Sequence, residues 1–230
     1  MIAASPEMRK WKFEIQGRRE DIYRKVYIDQ DRGLFKHLKK ARKKGLLHLP
    51  HTKMHFFCSI GPDYQVGKDK ALMVLSAFEK NIFSLKVDYY TPVEMMQIDL
   101  PNLEKLNLCL ASELSLVALA LIEKHIGKLR ELTYSFTVKL AKEWDSHGFF
   151  PPAPNLRSLT ILRAHGKYLE PFLKISRNVR KLALKYCGHC ELNIQDINPD
   201  ILKLPSLKEL AIDQDFPGAH LLITSNAEQL

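Results

Sequence analysis

Glycine is scarce in this chain, with ten residues among 230, and none of them belongs to the glycine-rich pattern that cradles a phosphate. The signatures of common hydrolases are absent too, since the sequence contains neither G-x-S-x-G nor H-E-x-x-H. These absences exclude the familiar nucleotide-binding and hydrolytic sites. We therefore expect a protein that is not an enzyme and that needs no cofactor.

Cysteine and long apolar stretches are also in short supply. The chain has four Cys, and its N-terminus lacks the apolar run of a secretory signal, so we expect free thiols rather than a disulfide framework. The longest apolar run, residues 114–122, is far too short to cross a bilayer. The sequence therefore predicts a cytoplasmic or nuclear protein without a membrane partner.

The positive charge is concentrated at the front of the chain. Residues 1–53 carry 15 Lys and Arg against 6 Asp and Glu, whereas residues 54–230 carry 20 of each kind. This asymmetry divides the chain into two parts. We expect a basic, mostly helical N-terminal segment or cap over residues 1–53, followed by a charge-balanced domain over residues 54–230.

The basic run KHLKKARKKG at residues 36–45 has three interpretations. Leu34, Leu38 and Ala41 recur at helical spacing, so the run can be an amphipathic helix that caps the domain and turns its charges to water. It can also be a nuclear-import signal or a contact for an anion such as nucleic acid. Aromatic residues that would stack on bases are not interleaved with these charges, so the sequence does not favour a nucleic-acid partner.

A hydrophobic pattern of the form L-x-x-L-x-L recurs six times in the body of the chain. Successive copies begin 21, 26, 27, 23 and 28 residues apart, and a weaker copy lies at residues 53–60. The copies are Ile82-Leu85-Val87, Leu103-Leu106-Leu108, Leu129-Leu132-Tyr134, Leu156-Leu159-Ile161, Val179-Leu182-Leu184 and Leu207-Leu210-Ile212.

Each copy alternates like a strand, and several are introduced by Pro and Asn, which suits a strand entered from a turn. Segments with helical spacing lie between copies, at residues 68–81, 112–127 and 166–178. One such unit cannot bury its apolar strand face alone. Stacking parallel copies solves this, since the Leu side chains of one copy then pack on the next.

These copies resemble leucine-rich repeats of the long, helix-bearing type, as found in ribonuclease-inhibitor-like proteins and in F-box proteins that carry such repeats. The resemblance covers roughly residues 82–215, and residues 178–212 look most like the cysteine-containing subclass of the F-box group. It implies an α/β solenoid, a horseshoe arc of about five to seven strand-loop-helix units with a parallel concave sheet. No F-box is recognisable in residues 1–53.

The tetrapeptide Cys-Gly-His-Cys at residues 187–190 raises the alternatives of thiol exchange and zinc binding. Cys187 falls on the Asn or Cys position of the family pattern, so the resemblance implies a buried structural thiol. Cys187, His189 and Cys190 would supply only part of a zinc site, and no second ligand pair at suitable spacing completes it. The cluster His48, His51 and His55 is interrupted by Pro50. We expect no metal.

Binding is expected on the concave sheet, because side chains at alternate strand positions point away from the core. The candidate contacts are Lys105, Glu131, Lys181, Lys185, Glu209 and Asp213. The resemblance implies a protein-interaction module that recognises substrates like the repeat region of F-box ubiquitin-ligase subunits, with the ligase adaptor as a further partner. The alternative is a free-standing repeat scaffold or inhibitor without a ubiquitin-ligase link.

Overall fold

The computed structural model of the chain describes residues 14–15, 23–27, 53–59, 72–73, 75–88, 93–109, 115–135, 150–163, 166–185, 197–213 and 218–230. These residues form an α/β structure in which helices pack against one side of a single β-sheet.

The sheet contains nine strands within the described residues. They are β1 (Glu14–Ile15), β2 (Tyr23–Tyr27), β3 (Lys53–Ser59), β4 (Ile82–Asp88), β5 (Lys105–Cys109), β6 (Glu131–Ser135), β7 (Ser158–Leu162), β8 (Lys181–Lys185) and β9 (Glu209–Ile212). They lie side by side in the order of the sequence. Strands β2 to β9 run parallel, and β1 is antiparallel to β2. The expectation that adjacent copies form neighbouring parallel strands is therefore confirmed.

Helices occupy several of the connections between strands, and one helix follows β9. They are a 3-10 helix at Val93–Gln97, α1 (Ser115–His125), α2 (Gly166–Lys174), α3 (Pro199–Leu202) and α4 (Ala219–Ser225). In the part of the chain that the structure describes, no helix has the length and apolar character needed to cross a membrane.

The strands pair in phase, so that equivalent positions of successive copies lie next to one another. One rung runs through Phe56, Leu85, Leu106, Leu132, Leu159, Leu182 and Leu210. Because side chains alternate along a strand, a register that keeps every Leu in phase sends all of these side chains to the same face. Helical residues such as Leu121 and Phe172 join them in one core.

The predicted core residues behave as expected. Ile82, Leu106, Leu132, Leu159 and Leu182 are buried in this single core, and Leu210 packs against it while remaining partly exposed. The third Leu position of one copy is occupied by an aromatic residue. Tyr134 stacks on Phe172 of α2 with ring centroids 5.5 Å apart, and burial raises the pKa of the Tyr134 phenol above its usual value.

Asn side chains just before three of the copies bind the backbone two residues before the preceding copy. Asn102, Asn155 and Asn178 donate their side-chain amides to the carbonyl oxygens of Lys80, Gly127 and Pro154, at 2.6, 2.9 and 3.3 Å. A turn leaves backbone carbonyls without a strand partner, and an Asn amide can satisfy them. The Asn residues that introduce the copies therefore connect consecutive units.

The structure describes few residues of the N-terminal segment, so the prediction that this segment is mostly helical stays a prediction. Residues 14–15 and 23–27 are strands, and β2 extends the sheet past the boundary expected at residue 53. The stretch Tyr-Arg-Lys-Val-Tyr of β2 is rich in aromatic and β-branched residues, which favour a strand. The basic run at 36–45 lies outside the described residues, so its three interpretations stay predictions.

Candidate functional site

The candidate surface is the side of the sheet opposite the core, which we call the open face. Two of its rows cross β5 to β9 at alternate strand positions. The first row is Lys105, Glu131, Ser158, Lys181 and Glu209, and the middle row is Asn107, Thr133, Thr160, Ala183 and Ala211. All of these residues are exposed or partly exposed. A partner could therefore reach both rows in the part of the chain that the structure describes.

The charges of the first row form cross-strand ion pairs. Lys105 Nζ lies 2.6 Å from Glu131 Oε1, and Lys181 Nζ lies 2.7 Å from Glu209 Oε1. The Lys105 ammonium also lies 5.7 Å from the centre of the Phe83 ring, within reach of a cation–π contact. Four of the six predicted contact residues thus occupy one row, as two pairs of opposite sign.

The two remaining candidates lie at the far end of the strands. Lys185 is the last residue of β8, and Asp213 follows β9, where its backbone N–H donates to the carbonyl of Leu184 at 3.2 Å. Both are exposed. One neighbour in this row does not behave as the alternation predicts, because Ser135 at the end of β6 is only 6% exposed. Ser135 is therefore not a surface contact, and nothing in the described residues explains its burial.

The side chains of the middle row are short and uncharged. Asn107, Thr133, Thr160, Ala183 and Ala211 carry no long side chains that would hold a partner away from the sheet. Asn107 accepts a contact from the Cys109 thiol of its own strand, with Sγ 2.9 Å from Oδ1. Small side chains permit close approach of a partner along a strip bordered by the charged first row.

A further row of charge, which the sequence analysis missed, lies at the edge where the strands begin. Arg130, Arg157, Arg180 and Lys208 each precede the first residue of β6, β7, β8 and β9, and we call these four residues the basic row. All four are exposed. The signal was present in the sequence, because these residues share the second position of their L-x-x-L-x-L copies. It becomes a surface feature only when the copies stack in phase.

Backbone hydrogen bonds hold the basic row in register. The N–H groups of Arg157, Arg180 and Lys208 each donate to the carbonyl of the preceding member of the row, at 2.8 Å in every case. Arg130 sits beside an acid, with Nε 3.2 Å from Glu104 Oε2. Among the described residues, Arg157, Arg180 and Lys208 form no ion pair.

His125, in the last turn of α1, is the most perturbed titratable group near neutral pH. Its ring is fully buried, and neither nitrogen has a hydrogen-bond partner among the described residues. Burial, reinforced by the charges of Lys128 and Lys124, lowers the pKa of His125 from 6.5 to about 4, while Asp99 opposes the shift weakly. The imidazole is therefore neutral at physiological pH.

The two lysines near His125 connect α1 to the segment before β5. Lys124 Nζ donates to the carbonyl of Ile98, and Lys128 Nζ donates to the carbonyl of Leu100, both at 2.9 Å. These bonds keep two positive charges close to the buried ring. His125 is a buried residue at the end of α1 whose ring nitrogens have no hydrogen-bond partner among the described residues.

Several metal or thiol candidates from the sequence lie outside the described residues. They are Cys187, His189 and Cys190, together with His48 and His51, and nothing is described of the side chain of His55. Within the ranges that the structure does describe, no three His, Cys, Asp or Glu residues are grouped closely enough to hold a metal ion.

Comparison with known proteins identifies no relative. No protein family, no curated protein and no solved structure matches the chain.

Proposed function

We propose that the chain is a protein-interaction module of the leucine-rich-repeat type, an arc of stacked strand-loop-helix units that binds a partner protein on its open face. It acts in the cytoplasm or nucleus and performs no chemistry itself. The function most consistent with the resemblance is substrate recognition like that of the repeat region of F-box ubiquitin-ligase subunits. The alternative is a free-standing scaffold or inhibitor.

The observation that carries this proposal is the in-phase register of β5 to β9. It aligns four predicted contacts, Lys105, Glu131, Lys181 and Glu209, in one exposed row beside the uncharged middle row. A parallel sheet is normally covered by helices on both faces. Here the helical residues join the core on one face, and the described side chains of the other face are mostly accessible.

Site-specific photo-crosslinking in cells tests the location of the binding surface. A photoreactive side chain in place of Thr160 lies at the centre of the open face, whereas the same side chain in place of Glu123 lies on the exposed side of α1. We expect a discrete crosslinked protein from position 160 and none from position 123. Crosslinks from position 123 alone, or from neither position, would place the binding surface elsewhere.

Charge reversal tests whether the same face selects the partner. The variant K181E/K185E reverses two exposed lysines of β8, and it should weaken capture of the crosslinked partner in a salt-dependent manner. The matched control is K80E/K203E, which changes the net charge equally at two exposed lysines off the open face. Equal effects of the two variants would mean that only total charge matters, contrary to the proposal.

Association with the F-box adaptor separates the two candidate functions. Purified chain and purified adaptor are mixed and analysed by size-exclusion chromatography, with a known F-box protein as a positive control. Co-elution would support the ubiquitin-ligase function. Separate elution of a chain that still crosslinks to its partner through position 160 would support the free-standing scaffold or inhibitor.

A further inference from the structure

The basic row is a charged surface that the open-face proposal does not use. Arg130, Arg157, Arg180 and Lys208 follow one another on four adjacent strands. Neighbouring strands in a sheet are about 4.8 Å apart, so the row extends over roughly 14 Å. Four cations at a regular spacing form a linear site for an anionic partner that presents negative charges at a similar spacing.

Among the described residues, a local acid neutralises the row at one end only. Glu104 pairs with Arg130 at one end, whereas Glu131 and Glu209 in the neighbouring first row are already paired with Lys105 and Lys181. The centre of the row therefore keeps its charge. Next to Arg157 the first row carries the neutral Ser158, and next to Arg180 it carries Lys181.

Arg157 is also held in position. Its Nη1 donates to the carbonyl oxygens of Pro154, Leu156 and Asn178, at 3.1, 3.3 and 3.3 Å. The N–H groups on Nε and Nη2 make no hydrogen bond to described residues, and a guanidinium can bind a carboxylate with two parallel N–H donors. An arginine that is already ordered loses less conformational entropy on binding.

The spacing of the row selects the shape of the partner. An α-helix advances 5.4 Å per turn, so carboxylates at positions i, i+4, i+7 and i+11 form a stripe with nearly the spacing of the strands. Over three intervals the stripe is about 16 Å long against roughly 14 Å for the row, a difference that flexible Arg and Lys side chains absorb. An extended peptide repeats on one side only every 6.8 Å or so and fits less well.

We infer that the basic row binds an acidic helix of a partner protein, with one carboxylate per helical turn lying over each of Arg130, Arg157, Arg180 and Lys208. The inference rests on the proposed function in that the partner is a protein, and it adds a second contact at the edge of the sheet. Single-stranded nucleic acid fits less well, because no aromatic side chain in the described part of the row offers a base a stacking surface.

The test is a fluorescence-anisotropy titration with two fluorescein-labelled, alanine-rich helical peptides of identical composition. One carries four Glu in a single stripe at i, i+4, i+7 and i+11, and the other distributes them around the helix. We expect wild-type chain to bind the striped peptide at least about fivefold more tightly. The variant R157E/R180E should reduce that affinity at least about tenfold, whereas K80E/K203E should change it less than about twofold.

Circular dichroism and thermal melting are used to check that each variant is folded, so that lost binding can be assigned to the basic row. Equal affinity for the two peptides, or equal effects of R157E/R180E and K80E/K203E, would overturn the inference. A labelled dT18 oligonucleotide is titrated in parallel. If it binds more tightly than the striped peptide and loses affinity in R157E/R180E, the row is a nucleic-acid site and the acidic-helix inference fails.

The outcomes for the two proposals are separable. Crosslinking from position 160 reports on the open face and does not depend on the peptides. If those crosslinks persist while the striped peptide fails to bind, the open-face proposal stands and the inference about the row falls. If the peptide binds through the row but position 160 yields no crosslink, the partner binds the edge of the sheet and the open-face proposal falls.

Discussion

Lys181 and Glu209 lie opposite each other on β8 and β9, with Lys181 Nζ 2.7 Å from Glu209 Oε1 across a separation of 28 residues in the chain. Both side chains are about 60% exposed, 60% for Lys181 and 62% for Glu209. Water and salt screen such a pair strongly. The ion pair is therefore only weakly stabilising for the fold.

A double-mutant cycle on this pair should give a coupling free energy below about 1 kcal/mol. The three variants are K181A, E209A and the double mutant, and the measurement is urea-induced unfolding at low and moderate salt. The swap K181E/E209K keeps both charges and should leave stability almost unchanged. A coupling energy well above 1 kcal/mol would mean that the pair is shielded from solvent.

The swap K181E/E209K also refines the test of the open face. K181E/K185E places an acid opposite Glu209 and a second acid at the far end of β8, where Asp213 follows β9, so its effect on binding includes local repulsion. The swap preserves net charge and the cross-strand attraction while reversing the direction of the charge pair. We expect weaker capture of the partner with an unchanged melting temperature. Unaltered capture would mean that Lys181 and Glu209 do not contact the partner.

Replacing the central Leu residues of the buried rung by Ala should strongly lower the stability of the fold. Leu159 and Leu182 are 0% and 1% exposed, so L159A and L182A should each lower the free energy of unfolding by about 2 to 5 kcal/mol through the cavity they create. The matched control is L162A, on the same strand as Leu159 but only partly buried. It should cost clearly less. Similar losses for L159A and L162A in urea unfolding would contradict the assignment of the core face.

Acid should destabilise the fold through His125. The pKa of His125 is about 4 when folded and 6.5 in its ordinary environment, so the unfolded chain binds a proton that the folded chain resists. Stability is then unaffected above about pH 6.5 and falls as the pH drops toward about 4. Between pH 7.5 and pH 5.5 the loss from this group should be roughly 1 kcal/mol.

Replacing the His125 imidazole separates its contribution to the acid-dependent loss of stability from that of other groups. In H125L an apolar side chain takes its place, and the fall in stability between pH 7.5 and pH 5.5 should be smaller than in wild type. The control H220Q alters an exposed histidine and should retain the wild-type pH dependence. Urea unfolding at several pH values measures both. Parallel pH profiles for H125L and wild type would show that His125 is not the group responsible.

Asn226 should be the most sensitive polar residue near the C-terminal end of the described structure. Its buried side chain accepts from the N–H of Leu204 at 2.7 Å and donates to the carbonyls of Leu202 and Leu222, both at 2.8 Å. N226A leaves these three backbone groups unsatisfied and should cost about 2 to 4 kcal/mol.

Hydrogen exchange gives a local measurement for the same variant. The amide of Leu204 should be protected in wild type and should exchange much faster in N226A. The exposed Gln229 provides a control in Q229A, which should change neither exchange at Leu204 nor global stability. Unchanged protection of Leu204 in N226A would mean that another group, rather than the Asn226 side chain, satisfies this amide.

The strands of the repeated copies were predictable from local pattern, whereas the pairing of β2 was not. The spacing of Leu156, Leu159 and Ile161 identifies both the strand and its buried face, because alternation along a strand is a property of the chain itself. β2, at residues 23–27, pairs with β3 some 30 residues later in the chain. Such pairing has no local signal.

The placement of the candidate residues on the open face was predictable from the sequence, whereas their arrangement was not. Alternation placed Lys181 and Glu209 on the open face, but it also placed Ser135 there, and Ser135 is buried. The basic row was missed because Arg130, Arg157, Arg180 and Lys208 are 23 to 28 residues apart and look like isolated surface charges in the sequence.

The sequence by itself determined where apolar side chains recur, and hence which apolar residues of the strands enter the core. Tertiary structure alone decided which residues meet. From its position in the last turn of a helix, His125 would be expected to be a cation that stabilises the helix C-terminus. The packing of α1 instead buries the ring and keeps it neutral. Asn226 resembles any polar residue near a chain end, yet two of its partners lie 22 and 24 residues away. Burial and polar contacts of this kind depend on how elements distant in the chain pack together, and no periodicity within a single element encodes that.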